Sequence, residues 1–166
     1  KLSIIAKAVL SAPRIYIFAK GESYLAGCIF RNNLLKLDRH VTMADDGGLQ
    51  TLHVKNGRPG DLFLFLSYSG IHYDYSKYAA ALSERGIKPC LITAFSDSAL
   101  ARQCDTVLLI PKSERVIGKV ANYSSMISLT YTLQVIYSLI FNQDYQENYR
   151  VKHEADSFIF TSFAEI

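Results

Sequence analysis

The feature that most constrains the fold is a series of short, uninterrupted apolar runs spaced along the chain. The clearest is Leu62–Leu66, where five apolar residues follow one another without polar alternation. Such a run is typical of a parallel strand that helices cover on both faces. Similar runs predict four further strands, at residues 14–19, 40–44, 89–94 and 106–110.

Helical patterns fill the intervals between these strands. The predicted helices cover residues 1–11, 23–37, 46–54, the segment between Gly70 and Gly86, 98–103, 121–142 and 144–154. Two buried stripes are expected, one of Leu25, Cys28, Ile29 and Leu35, and one of Leu129, Leu133, Ile136 and Ile140. Five strand–helix repeats predict an α/β fold of three αβα layers, with a five-stranded parallel sheet in the order 2-1-3-4-5.

Length and charge narrow the class of protein. A chain of 166 residues suits one domain, and its net charge of +3 argues neither for nor against nucleic-acid binding. The most apolar stretch, residues 126–141, is interrupted by polar side chains, so we expect a soluble, cytoplasmic protein without a membrane segment. Cys28, Cys90 and Cys104 are odd in number and far apart, which predicts buried reduced thiols.

The chain divides into a main unit and a C-terminal extension. Residues 1–143 are predicted to form the α/β domain, and residues 144–166 a polar helix followed by an apolar tail. The tail, residues 158–163, suggests either an added edge strand or a contact with a second subunit.

Two loops carry the candidate binding site. In an open α/β sheet, ligands bind beyond the carboxyl ends of the strands where the strand order reverses, here between strands 1 and 3. The loops there are residues 19–23 and 67–72, and each opens a helix whose N-terminus attracts an anion such as phosphate. Ser67 and Ser69 can donate hydrogen bonds, and Gly70 allows close approach. Serine and glycine are also ordinary cap and turn residues, which is the competing interpretation.

The order and spacing of these motifs resemble the sugar isomerase (SIS) phosphosugar-binding domain over about residues 1–142. The matching residues are Ser67-x-Ser69-Gly70, preceded by Pro59-Gly60-Asp61, together with Gly21 and Ser23 of a G-x-G-x-S pattern and Asp46-x-x-Leu49-Gln50. Ala19 replaces the first glycine of that pattern. The chain looks most like the effector domain of RpiR-type bacterial transcriptional regulators.

This resemblance implies a flavodoxin-like SIS fold and a sugar phosphate as ligand, and we expect no cofactor. The remaining histidines, His40, His53 and His153, are scattered and predict no metal site. The implied phosphosugar ligands are Gly21, Ser23, Ser67, Tyr68, Ser69, Gly70 and His72, with Tyr68 and Gly70 acting through the main chain. His72 stands where the family often has threonine, and Lys20 could assist phosphate binding. The regulator resemblance further implies a homodimer or higher homo-oligomer, and DNA binding only through a helix-turn-helix domain outside this chain.

A small sugar-phosphate isomerase, like 6-phospho-3-hexuloisomerase, is the alternative. Isomerisation needs a base, for which His72, Glu22 and Glu114 are the candidates, although we expect Glu114 to be a surface charge beside Lys112 or Arg115. The sugar hydroxyls would face Asn122, Tyr123, Ser124 and Ser125. We favour the non-catalytic sensor. Dinucleotide binding is disfavoured because the first loop has a single glycine.

Overall fold

The computed structural model describes residues 1–118 and 120–163 of the chain, with side chains as far as Phe158. The elements, in order, are α1 (Leu2–Ser11), β1 (Ile15–Ala19), α2 (Glu22–Leu35), β2 (Val41–Ala44), α3 (Gly47–Asn56), β3 (Leu62–Leu66), α4 (Tyr73–Glu84), β4 (Cys90–Thr93), a 3-10 turn (Ala101–Gln103), β5 (Thr106–Leu109), α5 (Tyr123–Gln143) and α6 (Tyr145–Phe163). The predicted order of elements is confirmed.

The five strands form one parallel sheet in the order β2-β1-β3-β4-β5, as predicted. The central pair, β1 and β3, is in register from Ile15 opposite Leu62 to Ala19 opposite Leu66. Because both strands end at the same level, the loops that follow them leave the sheet side by side. This register positions the candidate site.

Alternate residues of each buried strand face two different cores. Ile15, Ile17 and Ala19 of β1 belong to the core shared with α1, α2 and α5. Tyr16 and Phe18 belong to the core that also contains residues of α3 and α4. The period of two along β1 and β3 therefore turns their aliphatic residues to one layer and their aromatic residues to the other. The three-layer αβα prediction is confirmed.

The predicted buried stripe of α2 is wrong. Leu25, Ile29 and Leu35 are 54%, 40% and 55% exposed, and the helix instead buries Ala26, Gly27, Phe30 and Leu34. Small residues bring the helix axis close to the sheet, since a Cβ on Gly27 would lie 2.8 Å from Met43 Cε. A prediction that looks only for a stripe of large apolar residues does not find a buried face made of small ones.

Helix α5 is long and apolar enough to cross a membrane by length and composition, which the sequence analysis had not expected. In the structure one face of this helix is buried in the core. Its predicted stripe of Leu129, Leu133, Ile136 and Ile140 is buried, as expected, in the core shared with α1 and α2. This packing against both helices accounts for the apolar residues on the buried face of α5.

The C-terminal segment is helical as far as Phe163, so the alternative of an added edge strand for residues 158–163 is wrong. Lys152 pairs with Asp156, and Arg150 pairs with both Glu147 and Glu154 along the surface of α6. The division of the chain at residue 143 stays a prediction.

The three cysteines are free. Cys90 is buried as expected, whereas Cys28 and Cys104 are only partly buried. Burial raises the pKa of Cys90 to about 11 and that of Cys104 to about 12, so both are thiols at neutral pH.

Candidate functional site

A cleft of about 190 Å³ lies beyond the carboxyl ends of β1 and β3. Most of its lining residues come from the two predicted loops and from the start of α5. They are Lys20, Glu22, Ser23, Ser67, Tyr68, Ser69, Ile71, His72, Val116, Asn122, Ser125 and Met126. The structure thus brings together five of the seven predicted ligands at the predicted place. Gly21 and Gly70 shape the two loops without lining the cleft.

The loop after β3 is held by internal hydrogen bonds. Ser67 is buried, its N–H donates to the Ile92 carbonyl at 3.1 Å, and its Oγ accepts from the Gly70 N–H at 3.1 Å. The hydroxyl proton of Ser67 is then left for a ligand. The Ser69 hydroxyl has no hydrogen-bond partner among the described residues and lines the cleft. Two hydroxyl donors are therefore presented together.

Position 70 requires glycine for two reasons, its backbone conformation and its close contact with Ser98. Its φ is +64°, in the left-handed region that favours glycine. A Cβ at this position would lie 2.6 Å from Ser98 Cβ, closer than real Cβ atoms approach. The loop after β4 therefore packs closely against the loop after β3, residues 67–72, which we call the serine loop.

Tyr68 connects the serine loop to two neighbouring loops, a role beyond that of a main-chain ligand. Its carbonyl already accepts hydrogen bonds from Thr93 Oγ1 and the Ala94 N–H, both at 2.9 Å. Its ring is buried edge-on against Phe95, with centroids 5.7 Å apart. Its hydroxyl reaches the backbone of Glu114. Tyr68 therefore ties the serine loop to the loops that follow β4 and β5.

The loop after β1 supplies charge. Gly21 adopts a φ of +56° and precedes the first turn of α2. Lys20 is exposed and places its Nζ 5.2 Å from the centroid of the Tyr75 ring. The Ser23 hydroxyl has no hydrogen-bond partner within the part of the chain that the structure describes. Lys20 and Ser23 thus line the cleft from the β1 loop, beside the serine loop.

His72 lies immediately before α4 and lines the cleft at the N-terminus of that helix. Burial lowers the pKa of His72 below its ordinary 6.5, and the charge of Lys20 lowers it further, while Asp74 acts in the opposite direction. The imidazole edge contacts the Tyr75 ring, with centroids 5.3 Å apart. The free site therefore favours neutral histidine, and a bound anion would favour the charged form.

Glu114 has a different role from the expected surface charge beside Lys112 or Arg115. Its Oε2 accepts from Ser125 Oγ at 2.7 Å, and its Oε1 accepts from the Ser125 N–H at 3.0 Å and from Ser124 Oγ at 2.9 Å. These hydrogen bonds, the one from the Ser125 hydroxyl first, hold the pKa of Glu114 at about 2. The carboxylate caps the N-terminus of α5, where a negative charge is favoured.

The start of α5 supplies the far side of the cleft. Of the four residues predicted to meet sugar hydroxyls, Asn122 and Ser125 line the cleft. Tyr123 is 69% exposed, and the Ser124 hydroxyl is hydrogen-bonded to Ser113 and Glu114, so neither lines it.

Three apolar lining residues were missed by the sequence analysis, namely Ile71, Val116 and Met126. Met126 could have been found, because it lies one helical turn after Asn122. Val116 sits in an irregular loop, for which no periodic signal exists.

The arrangement as a whole is suited to an anion that carries a polar body. Serine hydroxyls and the N-terminus of α4 face one end, and an amide, a hydroxyl and a thioether face the other. A doubly wound parallel sheet with two serine-bearing loops at its switch point defines an anion-binding α/β domain. The family model of the SIS domain matches residues 9–140, and the chain belongs to this family.

Curated relatives are much longer proteins. The glutamine–fructose-6-phosphate aminotransferase (isomerizing) of Bacillus licheniformis is 30% identical over 143 residues, which is 82% of this chain and 23% of that protein. The enzyme of the same name from Halalkalibacterium halodurans is 35% identical over 107 residues, which is 63% of this chain and 17% of that protein. The chain therefore spans less than a quarter of these relatives.

Solved structures share the fold. The sugar isomerase domain of an RpiR transcription factor from Sphaerobacter thermophilus gives a TM-score of 0.79 at 22% identity, covering 94% of this chain and 85% of that one. The Vibrio vulnificus NanR protein, solved in complex with ManNAc-6P, gives a TM-score of 0.85 at 20% identity, covering 98% of this chain and 61% of that one. At these identities the likeness concerns the fold alone.

Proposed function

We propose that this chain is the phosphosugar-sensing effector domain of an RpiR-type transcriptional regulator that works in the cytoplasm. A sugar phosphate binds the cleft and changes the DNA affinity of a helix-turn-helix domain outside this chain. The proposed ligands are Gly21, Ser23, Ser67, Tyr68, Ser69, Gly70 and His72.

The observation that carries the proposal is the pair of serine-bearing loops at one cleft. Ser67 and Ser69 present hydroxyls beside the N-terminus of α4, and Ser23 presents a third from the neighbouring loop. Helix N-termini and hydroxyls bind phosphate without requiring arginine. The ManNAc-6P bound to the Vibrio vulnificus protein of the same fold supports a sugar phosphate as the class of ligand.

Sensing is favoured over catalysis by the state of Glu114 and His72, two of the three candidate bases. The third, Glu22, lines the cleft from the first turn of α2. The Glu114 carboxylate is engaged by the first turn of α5, and its pKa of about 2 makes it a weak base at neutral pH. His72 lies at the phosphate end of the cleft, next to α4, and so far from where the carbons of a bound sugar would react. Both features suit reversible binding.

An oligomer would let binding at one site move two DNA-binding domains. One face of α5 is buried, but Tyr123, Ile127 and Tyr131 form an exposed stripe at helical spacing on the same helix. Such a stripe suits a second copy of the chain. Sedimentation analysis of the chain tests this part of the proposal, which requires a species larger than the monomer.

The test of the site is a thermal-shift titration with fructose 6-phosphate, ManNAc-6P and arabinose 5-phosphate. A ligand at about 100 times its Kd should stabilise the domain by about 2.7 kcal/mol. The double variant S67A/S69A should lose this shift and keep its fold. The matched control is S11A/S138A, since these exposed hydroxyls bond only carbonyls of their own helices. Unchanged affinity in S67A/S69A contradicts the assignment.

A sugar-phosphate isomerase is the second candidate, favoured by the isomerizing relatives. NMR of each binder incubated with the protein separates the two functions. A sugar phosphate that stays unchanged supports the sensor. Conversion to the isomer that depends on Glu114 or His72 makes the chain an enzyme.

A further inference from the structure

One side chain joins the serine loop to the loop that precedes α5. The Tyr68 hydroxyl donates to the Glu114 carbonyl oxygen at 3.0 Å and accepts from the Glu114 N–H at 2.8 Å. Both main-chain groups of Glu114 are thus held by the same phenol. Because the Tyr68 ring is buried and packs edge-on against Phe95, its hydroxyl has a defined position.

The side chain of Glu114 continues the connection. Its two carboxylate oxygens receive three hydrogen bonds from the first turn of α5, two of them from Ser125 and one from Ser124. Holding the Glu114 main chain therefore also places its carboxylate, and the carboxylate places Ser125. The chain of contacts runs from Tyr68 through Glu114 to α5.

Both ends of this connection lie at the same cleft. Ser67 and Ser69, on either side of Tyr68, form the proposed phosphate end. Asn122 and Ser125, at the start of α5, form the end that would meet the body of the ligand. Tyr68 and the Glu114 main chain therefore set how far apart and at what angle the two ends stand.

We propose that Tyr68 is a positioning residue that determines specificity for sugar phosphates over phosphate alone, acting through Glu114 on the first turn of α5. This rests on the proposed function. Loss of the phenol hydroxyl would leave the phosphate end intact, because Ser67 and Gly70 hold that loop by their own hydrogen bond. The same loss would leave Asn122 and Ser125, at the start of α5, less firmly positioned against the sugar.

The test compares two probes on one variant. Y68F keeps the ring that packs on Phe95 and the main chain, through which Tyr68 is proposed to bind phosphate, and removes only the hydroxyl. We expect its Kd for inorganic phosphate to stay within about twofold of wild type, while its Kd for the best binder among fructose 6-phosphate, ManNAc-6P and arabinose 5-phosphate rises about tenfold. The matched control is Y73F, an exposed tyrosine outside the cleft, which should change neither Kd.

A second variant covers the case in which Y68F does not fold. E114Q keeps the main-chain contacts with Tyr68 and weakens the hold on Ser125, so it should show the same selective loss. Equal loss for both probes, or no loss for either, in the variants that fold overturns the inference. Failure of the wild-type chain to bind any of the sugar phosphates is a different result, because it contradicts the proposed function itself.

Discussion

The two rims of the cleft are built in opposite ways. One rim is the loop after β3, residues 67–72, where Ser67, Tyr68 and Gly70 are buried. It is held by the hydrogen bonds of Ser67 to Gly70 and of Tyr68 to Glu114. The rim after β1 is exposed, with Lys20 reaching across the Tyr75 ring. A Cβ on Gly21 would meet no atom within 4 Å, whereas one on Gly70 would collide with Ser98.

The two rims therefore have different roles in binding: the rim after β3 fixes the geometry of the site, and the rim after β1 supplies its charge. The tied rim holds its donors in place before a ligand arrives, so little ordering is needed on binding. The open rim contributes charge and a hydroxyl that can adjust. Substitutions in the tied rim should therefore change stability and binding together, and substitutions in the open rim should change binding with little effect on stability.

The largest effect is expected at Gly70. G70A places a side chain in the left-handed region and against Ser98, and should lower the free energy of unfolding by about 3 kcal/mol. Urea denaturation measures this loss, and sugar-phosphate binding should fall with it. G86A, with the same sign of φ and open surroundings just after α4, is the control and should cost about 1 kcal/mol.

The collision with Ser98 can be tested separately. S98G removes the group that a Cβ on residue 70 would meet, so the double variant G70A/S98G should recover part of the loss relative to the sum of the single variants. Equal costs for G70A and G86A, or strict additivity with S98G, would show that packing against Ser98 does not determine the conformation of the loop after β3.

A smaller, pH-dependent effect is expected at Glu114. Its pKa is about 2 in the folded chain against an ordinary 4.5, so its contribution to stability is complete above pH 4.5 and is lost as pH falls towards 2. E114Q should therefore lower Tm at neutral pH, and its Tm should converge with that of wild type between pH 4.5 and 2. E84Q, at the exposed end of α4, controls for the loss of one negative charge. A difference that is constant with pH contradicts the capping role.

Local pattern was enough for the fold because each buried strand is a continuous apolar run and each run is followed by a helical pattern. The same pattern predicted the wrong buried face for α2, where Ala26 and Gly27 lie on the buried face and larger apolar residues are exposed. Small residues that allow close approach have no signature in a hydrophobic stripe. Predicting that face requires knowing that Met43 and Ile17 lie beneath it.

The candidate site divides in the same way. The loops at Ser23 and Ser67 could be placed together, because strand order and register follow from the fold class. The contact between Tyr68 and Glu114 joins residues 46 positions apart and depends on how an irregular loop after β5 returns to the cleft. No spacing in the sequence marks it, so Glu114 was interpreted as an ordinary surface charge.

The smallest effect is expected where the two rims face each other, at His72. Its neutral form is favoured by burial and by Lys20 and opposed by Asp74, while the Tyr75 ring on its other side stays uncharged because burial raises the pKa of that phenol. A bound phosphate should draw a proton onto His72, so the Kd of H72Q relative to wild type should be near one at pH 8 and rise to about fivefold near pH 5.5.

Isothermal titration with inorganic phosphate at several pH values gives this ratio, and the ionisation of the ligand cancels between the two proteins. In a K20Q background the same rise should begin at higher pH, because removing the ammonium raises the pKa of His72. A ratio that does not vary with pH would place His72 outside the reach of the anion and leave charge recognition to the open rim alone.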